Sequence, residues 1–230
     1  MSMQNQSCGI EKHTTLQLLS YWDKIRDGRP APSRMEIEPS KIYSILPETF
    51  ILELKPDGTY AFRLAGTRLC QQFGQELRGR DFCQMWQGSD HRQIRQMLED
   101  ATRNGQATLV KFQGRSESNQ SARFEMIILP LLHTEQNTTI TRLLGSISVE
   151  QDQYWLGSCK LIQLELDCLE PIKIEHEWND MNPQQGKKVS ASGRHEIRYM
   201  DTERSSDGSR IVQINRQVFR VYDGGQMEKQ

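Results

Sequence analysis

The chain has 230 residues, a formal net charge of −1 and a hydrophobic fraction of 36%. This near-neutral charge gives no general reason to expect a nucleic acid as partner, and the five cysteines, without a CxxC pair, indicate neither a disulfide framework nor a zinc site. The polar N-terminus and the absence of an apolar run of membrane-spanning length predict a cytoplasmic protein.

The first third of the chain predicts a leader, one helix and a β-hairpin. Residues 1–13 are expected to form a flexible leader, and apolar residues at helical spacing predict a helix over residues 15–27. A capping-box pattern opens at Thr14, just before this helix. Two short apolar segments, residues 50–54 and 59–64, are joined by a Pro-Asp-Gly turn and predict a hairpin.

The middle of the chain changes from helical to strand periodicity. Helical spacing predicts a short helix at residues 67–73 and a longer one at residues 90–104. Three strands follow, at about 107–113, 122–132 and 140–149, separated by polar segments of hairpin length. The order of elements predicts an α+β fold, PAS-like in topology, with a five-stranded antiparallel sheet and short helices on one face.

The C-terminal third is expected to be an extension outside the folded domain. The domain, with its N-terminal helix, is predicted to span residues 14–150, and the extension residues 151–230. Residues 179–210 contain almost no apolar side chains, which predicts disorder. Residues 161–169 and 211–222 alternate like strands, and either they pack on the domain or they become ordered with a partner. A chain cut just after the fifth strand is therefore expected to fold on its own.

The N-terminal helix has more apolar surface than one packing face needs. Apolar residues occupy more than one side of the predicted helix, so we expect it to lie outside the sheet and to contribute to a homodimer contact. The candidate contact residues are Leu16, Leu19 and Trp22.

Several short motifs stand out between residues 20 and 150. They are Tyr21-Trp22, Gly28-Arg29-Pro30, Pro32-Ser33-Arg34, Ile45-Leu46-Pro47, Arg63-Leu64-Ala65-Gly66-Thr67-Arg68-Leu69, Phe73-Gly74 and Leu77-Arg78-Gly79-Arg80. Together they resemble a family of small bacterial PAS-domain proteins with a single regulatory PAS domain. The resemblance implies a PAS fold, a regulatory role and no catalytic residues. Some PAS domains bind small ligands, haem or flavin, and others serve only as protein-contact modules, so the fold alone does not decide the function.

The leading hypothesis is a non-catalytic signalling protein that acts through protein–protein contacts, without a cofactor, metal, nucleic acid or membrane span. The alternative is a sensor that binds a small molecule or haem in a cavity between sheet and helices. Ordinary core packing is the simpler interpretation of the apolar residues in that place. The candidate cavity residues are Phe62, Thr67, Cys70, Phe73, Trp86 and Met126.

Two further motifs raise specific cofactor alternatives. Residues 79–83 resemble a flavin-photosensor motif, but the cysteine falls one residue late and Asp81 replaces an asparagine, so Cys83 is expected to be a small buried apolar residue. His91 lies near the place where haem-binding PAS domains can carry an axial ligand, although its polar neighbours predict a solvent-facing helical turn. No catalytic motif supports pairing a cysteine and a histidine as nucleophile and base.

Overall fold

The computed structural model describes residues 9–133, 139–173, 209–214 and 217–222. The chain divides into two units, Met1–Asn182 and Pro183–Gln230. The stretch at 179–210 for which the sequence predicts disorder lies outside the described residues, apart from its last two positions. The first eight residues of the predicted leader lie outside them as well.

Six strands of the first unit form one antiparallel sheet in the order β2-β1-β5-β4-β3-β6. The strands are β1 (Thr49–Leu54), β2 (Tyr60–Ala65), β3 (Thr108–Ser116), β4 (Ser121–Leu132), β5 (Ile140–Val149) and β6 (Leu161–Pro171). The five predicted strands are all present, which confirms the predicted α+β architecture. β6 corrects the predicted number of strands, because it pairs with the edge of β3 that a five-stranded sheet would leave unpaired.

The turn between β1 and β2 forms from local interactions. Gly58 has a φ of +83°, a conformation that side chains with a Cβ rarely adopt, and its N–H donates to the Lys55 carbonyl at 2.9 Å. The Asp57 carboxylate accepts the N–H of Thr59, also at 2.9 Å. The Pro-Asp-Gly sequence therefore directs the hairpin as predicted.

The three α-helices of the described residues are α1 (His13–Arg26), α2 (Thr67–Phe73) and α3 (Gly88–Asn104). α1 begins earlier than predicted and has no side-chain cap of its own, because Thr14 donates instead to Glu48 at 2.6 Å. The carboxylate of Glu125, on β4, accepts the N–H groups of Glu11 and Lys12 at 2.7 and 3.0 Å. These two residues fall within the predicted flexible leader, and the hydrogen bonds hold them against the sheet.

α1 and α2 lie on opposite faces of the sheet. Neighbouring residues of a strand point to opposite faces. On β4, Glu125 bonds the segment before α1, whereas the ring of Phe124 lies 6.1 Å from the ring of Phe73 on α2. Both central strands, β4 and β5, are buried along most of their length because each of their faces is covered.

The apolar side of α1 packs against the chain's own core. Trp22 is 0% exposed and its indole Nε1 donates to the Pro130 carbonyl at 2.8 Å, and Leu19 is 9% exposed. Ile42, from the segment between α1 and β1, belongs to the same core. The prediction of a homodimer contact through Leu19 and Trp22 is therefore wrong. The third candidate, Leu16, is half-buried, and its part in a dimer contact stays a prediction. The helix has a wide apolar surface because it meets both the sheet and this segment.

Residues after β5 also contribute to the core of the first unit, although the sequence assigned them to the extension. Trp155 is 5% exposed, and Leu161 and Leu164 are each 4% exposed. At the other end of β6, the Ile172 N–H donates to the Ala107 carbonyl at 2.8 Å. β6 is thus attached by apolar packing as well as by backbone pairing.

Cys168 on β6 is disulfide-bonded, whereas Cys70, Cys83 and Cys159 are free. The cysteine pattern, which argued against a disulfide framework, gave no sign of this one bond. In the second unit, the described residues form a hairpin of β7 (Ser209–Ile214) and β8 (Gln217–Tyr222). The predicted strand-like stretch at 211–222 is therefore two short antiparallel strands.

Candidate functional site

Aromatic rings fill the space between the sheet and the helices on the face covered by α2. Adjacent rings lie with their centroids 5.1 to 6.1 Å apart, in stacked, tilted and edge-to-face pairs. Each ring is at most 3% exposed. This ring cluster consists of Phe50, Phe62, Phe73, Phe82, Trp86, Phe112 and Phe124. Its continuous contacts make this face of the sheet a packed core.

The structure brings together four of the six candidate cavity residues. Phe62, Phe73 and Trp86 are members of the ring cluster, and Met126 is 0% exposed beside them in the same core. The two polar candidates lie elsewhere: Thr67 is exposed at the start of α2, and Cys70 is half-buried. The prediction that Thr67 faces an interior cavity is therefore wrong, because the first two residues of α2 are exposed, whereas Cys70 is partly buried against the core.

The two residues of the cofactor alternatives occupy different environments. Cys83 is 1% exposed, as predicted for a small buried residue. Burial, together with the nearby carboxylate of Asp81, raises the pKa of the Cys83 thiol to about 12, so the thiol stays protonated at neutral pH. His91 lies in the first turn of α3, half-buried and outside the ring cluster.

On the face of the sheet that α1 covers, polar groups connect the first turn of this helix to the sheet. Glu48 accepts hydrogen bonds from Thr14 at 2.6 Å, from Ser148 on β5 at 2.7 Å and from Arg68 on α2 at 2.6 Å. Burial alone would raise the pKa of Glu48, but these three donors lower it below its ordinary value. No local sequence pattern indicates this arrangement, because its members come from four separate segments.

A second carboxylate on the same face, Glu53 of β1, is surrounded by cations. Lys55, Arg142 and Arg63 lie 2.6, 3.2 and 3.4 Å from its oxygens. The hydrogen bond from Lys55, supported by Arg142, outweighs burial and lowers the pKa of Glu53 from 4.5 to about 2. This cluster ties β1, β2 and β5 together through charge.

A groove of about 370 Å³ lies at the edge of the ring cluster, between the segment after α2 and the start of β6. Phe73 forms part of its wall and belongs to the ring cluster as well. The polar groove residues are Gln75, Arg80, Asp81, Gln84, Gln87, Lys160 and Gln163. Of these, only Arg80 and Asp81 belong to motifs noted in the sequence, and neither motif predicts a groove, because β6 had not been placed beside this segment.

Within the described part of the chain, no group of three or more histidine, cysteine or acidic residues is placed to hold a metal ion. No helix among those residues is both long and apolar enough to span a membrane.

Comparison with protein families identifies one domain type. The family model described as "PAS domain" matches residues 10–148. Among solved structures, a LOV protein of Rhodobacter sphaeroides is 13% identical, with a TM-score of 0.38 over 51% of this chain and 71% of that one. A structure titled "Flavin Analogue Sheds Light on Light-Oxygen-Voltage Domain Mechanism" is 15% identical, with a TM-score of 0.39 over 50% of this chain and 85% of the other. No curated protein matches the chain.

Proposed function

This chain belongs to the PAS-domain family, whose members are generally signalling sensors, and on that premise we propose that it is a non-catalytic regulatory protein acting through protein–protein contacts. The observation that carries the proposal is the ring cluster. A ligand the size of haem or flavin needs a cleft of several hundred cubic ångströms. The rings occupy the space in which such a cleft would form, at centroid separations of 5.1 to 6.1 Å.

The environments of the reactive residues support the non-catalytic part of the proposal. Cys83 is buried and its pKa is raised to about 12, which removes the thiolate that a nucleophile requires. Glu48 and Glu53 have lowered pKa values, so neither is poised to exchange a proton near neutral pH. A cytoplasmic location remains a prediction of the sequence.

The exposed apolar side chains support a contact surface on the segment between α1 and β1. Met35 and Tyr43 are 78% and 75% exposed, and both lie on this segment. Tyr21 of α1 holds the segment in place, because its hydroxyl accepts the N–H of Glu38 at 2.7 Å. We infer that Met35 and Tyr43, in place of the buried Leu19 and Trp22, form the homodimer contact.

One measurement, native mass spectrometry of the purified protein with its absorption spectrum, separates this function from the sensor alternative. We expect a dimer of twice the chain mass with neither haem nor flavin bound, and no absorption beyond the aromatic band. A Soret or flavin band would show that the core opens to bind a cofactor. A cofactor that stays bound during stepwise unfolding, until the dimer is lost, would show the same. A monomer free of ligand would contradict the contact role.

A further inference from the structure

The groove beside β6 has two firmly attached walls. One is the segment that follows α2, and the other is the first part of β6 together with Lys160. Trp86 bridges to Leu164, and the Glu117 N–H donates to the Lys160 carbonyl at 3.0 Å. A Cβ placed on Gly74, which precedes the lining residue Gln75, would lie 2.9 Å from the Lys160 Cα, so the two walls approach closely there. These backbone contacts join the two walls of the groove.

The charges that line the groove are unbalanced. Arg80 and Lys160 both line it, and neither forms an ion pair within the described part of the chain. Asp81 is the one carboxylate among the lining residues, and one of its oxygens already accepts the N–H of Cys83 at 2.9 Å. Two cations facing a shared recess with one carboxylate favour an anionic occupant.

The groove also has apolar surface. Phe73, Met85 and Leu161 supply it. An occupant that fits both the charge and the apolar surface has an anionic end and a carbon skeleton.

We propose that this groove binds a small organic anion. Arg80 and Lys160 hold the carboxylate or phosphate, and the apolar wall contacts the carbon skeleton. The site is separate from the filled interior of the domain, and its β6 wall lies beyond the matched residues 10–148. It does not depend on the proposed protein-contact role, because a ligand here leaves the ring cluster undisturbed.

The direct test is titration of the isotope-labelled full chain, followed by amide proton–nitrogen spectra. Citrate supplies carboxylates with a hydroxyl, and glycerol 3-phosphate supplies a phosphate with hydroxyls. Sodium chloride at matched ionic strength is the control for screening. We expect saturable shifts confined to residues 75–87 and 160–164 with one of the two organic anions and not with chloride. Absence of saturable shifts with both anions would overturn the proposal.

Two arginines separated by one residue in the sequence, Arg78 and Arg80, provide matched variants. Arg80→Gln removes a lining cation and should weaken binding of the effective anion by about tenfold, the usual effect of losing one charge-assisted hydrogen bond. Arg80→Lys, which keeps the charge, should restore part of the affinity and shows that the loss is not due to misfolding. Arg78→Gln removes an exposed cation that does not line the groove and should leave the affinity unchanged. Equal weakening by Arg78→Gln and Arg80→Gln would mean non-specific surface attraction and would contradict the site.

Discussion

Removal of β6 is the perturbation that most directly tests how the first unit is built. A chain ending at Gln153 keeps every strand that the sequence predicted for the domain. It loses Trp155, Leu161 and Leu164, which are 5%, 4% and 4% exposed. It also leaves the edge of β3 without its partner. The sequence predicts that this shortened chain folds on its own. The burial of these side chains predicts the opposite, that the shortened chain folds poorly.

The expected loss follows from the side chains that the truncation removes. Burial of a large apolar side chain stabilises a fold by roughly 2 kcal/mol, so the three together contribute about 6 kcal/mol. A domain of this size has a total unfolding free energy of about 5–15 kcal/mol. The truncation also exposes neighbours in the ring cluster, Trp86 and Phe112, which pack beside this edge with their ring centroids 5.2 Å apart. We therefore expect the shortened chain to be marginally stable or molten.

Urea unfolding followed by far-ultraviolet circular dichroism and tryptophan fluorescence measures the difference. The matched control is a chain ending at Lys173, which keeps β6 and drops everything after it. Cys168→Ser in that longer chain separates the contribution of the disulfide from that of the strand. If the chain ending at Gln153 unfolds cooperatively with the same free energy as the longer control, β6 is an accessory strand and the reasoning fails.

Two further expectations concern the surface and the pH dependence. Met35→Ser with Tyr43→Ser should shift the chain from dimer to monomer in sedimentation, whereas Tyr154→Ser, at a side chain 90% exposed on another segment, should not; a dimer that persists in the double variant would rule out this contact. Because the folded pKa of Glu53 is lowered from 4.5 to about 2, its stabilising contribution is present above pH 4.5 and is lost as the pH falls toward 2. The urea unfolding free energy should therefore fall less steeply over this range in Glu53→Gln than in the wild type, and equal slopes would contradict the charge cluster.

The sequence predicted the elements whose signals are local. The Pro-Asp-Gly turn, the apolar alternation of the first five strands and the spacing of α3 each depend on residues a few positions apart, and each element is present. α3 begins at Gly88, two residues before its predicted start. Asp90 lies within the first turn of the helix and accepts the N–H of Leu166 on β6 at 2.9 Å, a contact that no local pattern predicts.

The failures share a cause, which is contact between residues distant in sequence. The capping-box pattern at Thr14 does not cap the helix, because the Thr14 hydroxyl donates to Glu48. The N–H groups of Glu11 and Lys12, just before the helix, donate to Glu125. The burial of Trp22 could not be inferred, since an apolar helix side has the same composition whether it meets its own chain or a partner. Only the position of the segment between α1 and β1 decides between these possibilities.

β6 connects the stability of the first unit to the groove. The strand lies beyond the family's matched residues, yet it closes the edge of β3 and supplies Lys160 to Leu164 as one wall of the recess. An anion held between Arg80 and Lys160 binds only when β6 is docked. By mass action it then stabilises the docked state by an amount that grows with the ratio of its concentration to its Kd. The groove is therefore a place where a small molecule can influence this PAS domain through its edge strand, while the aromatic interior stays closed.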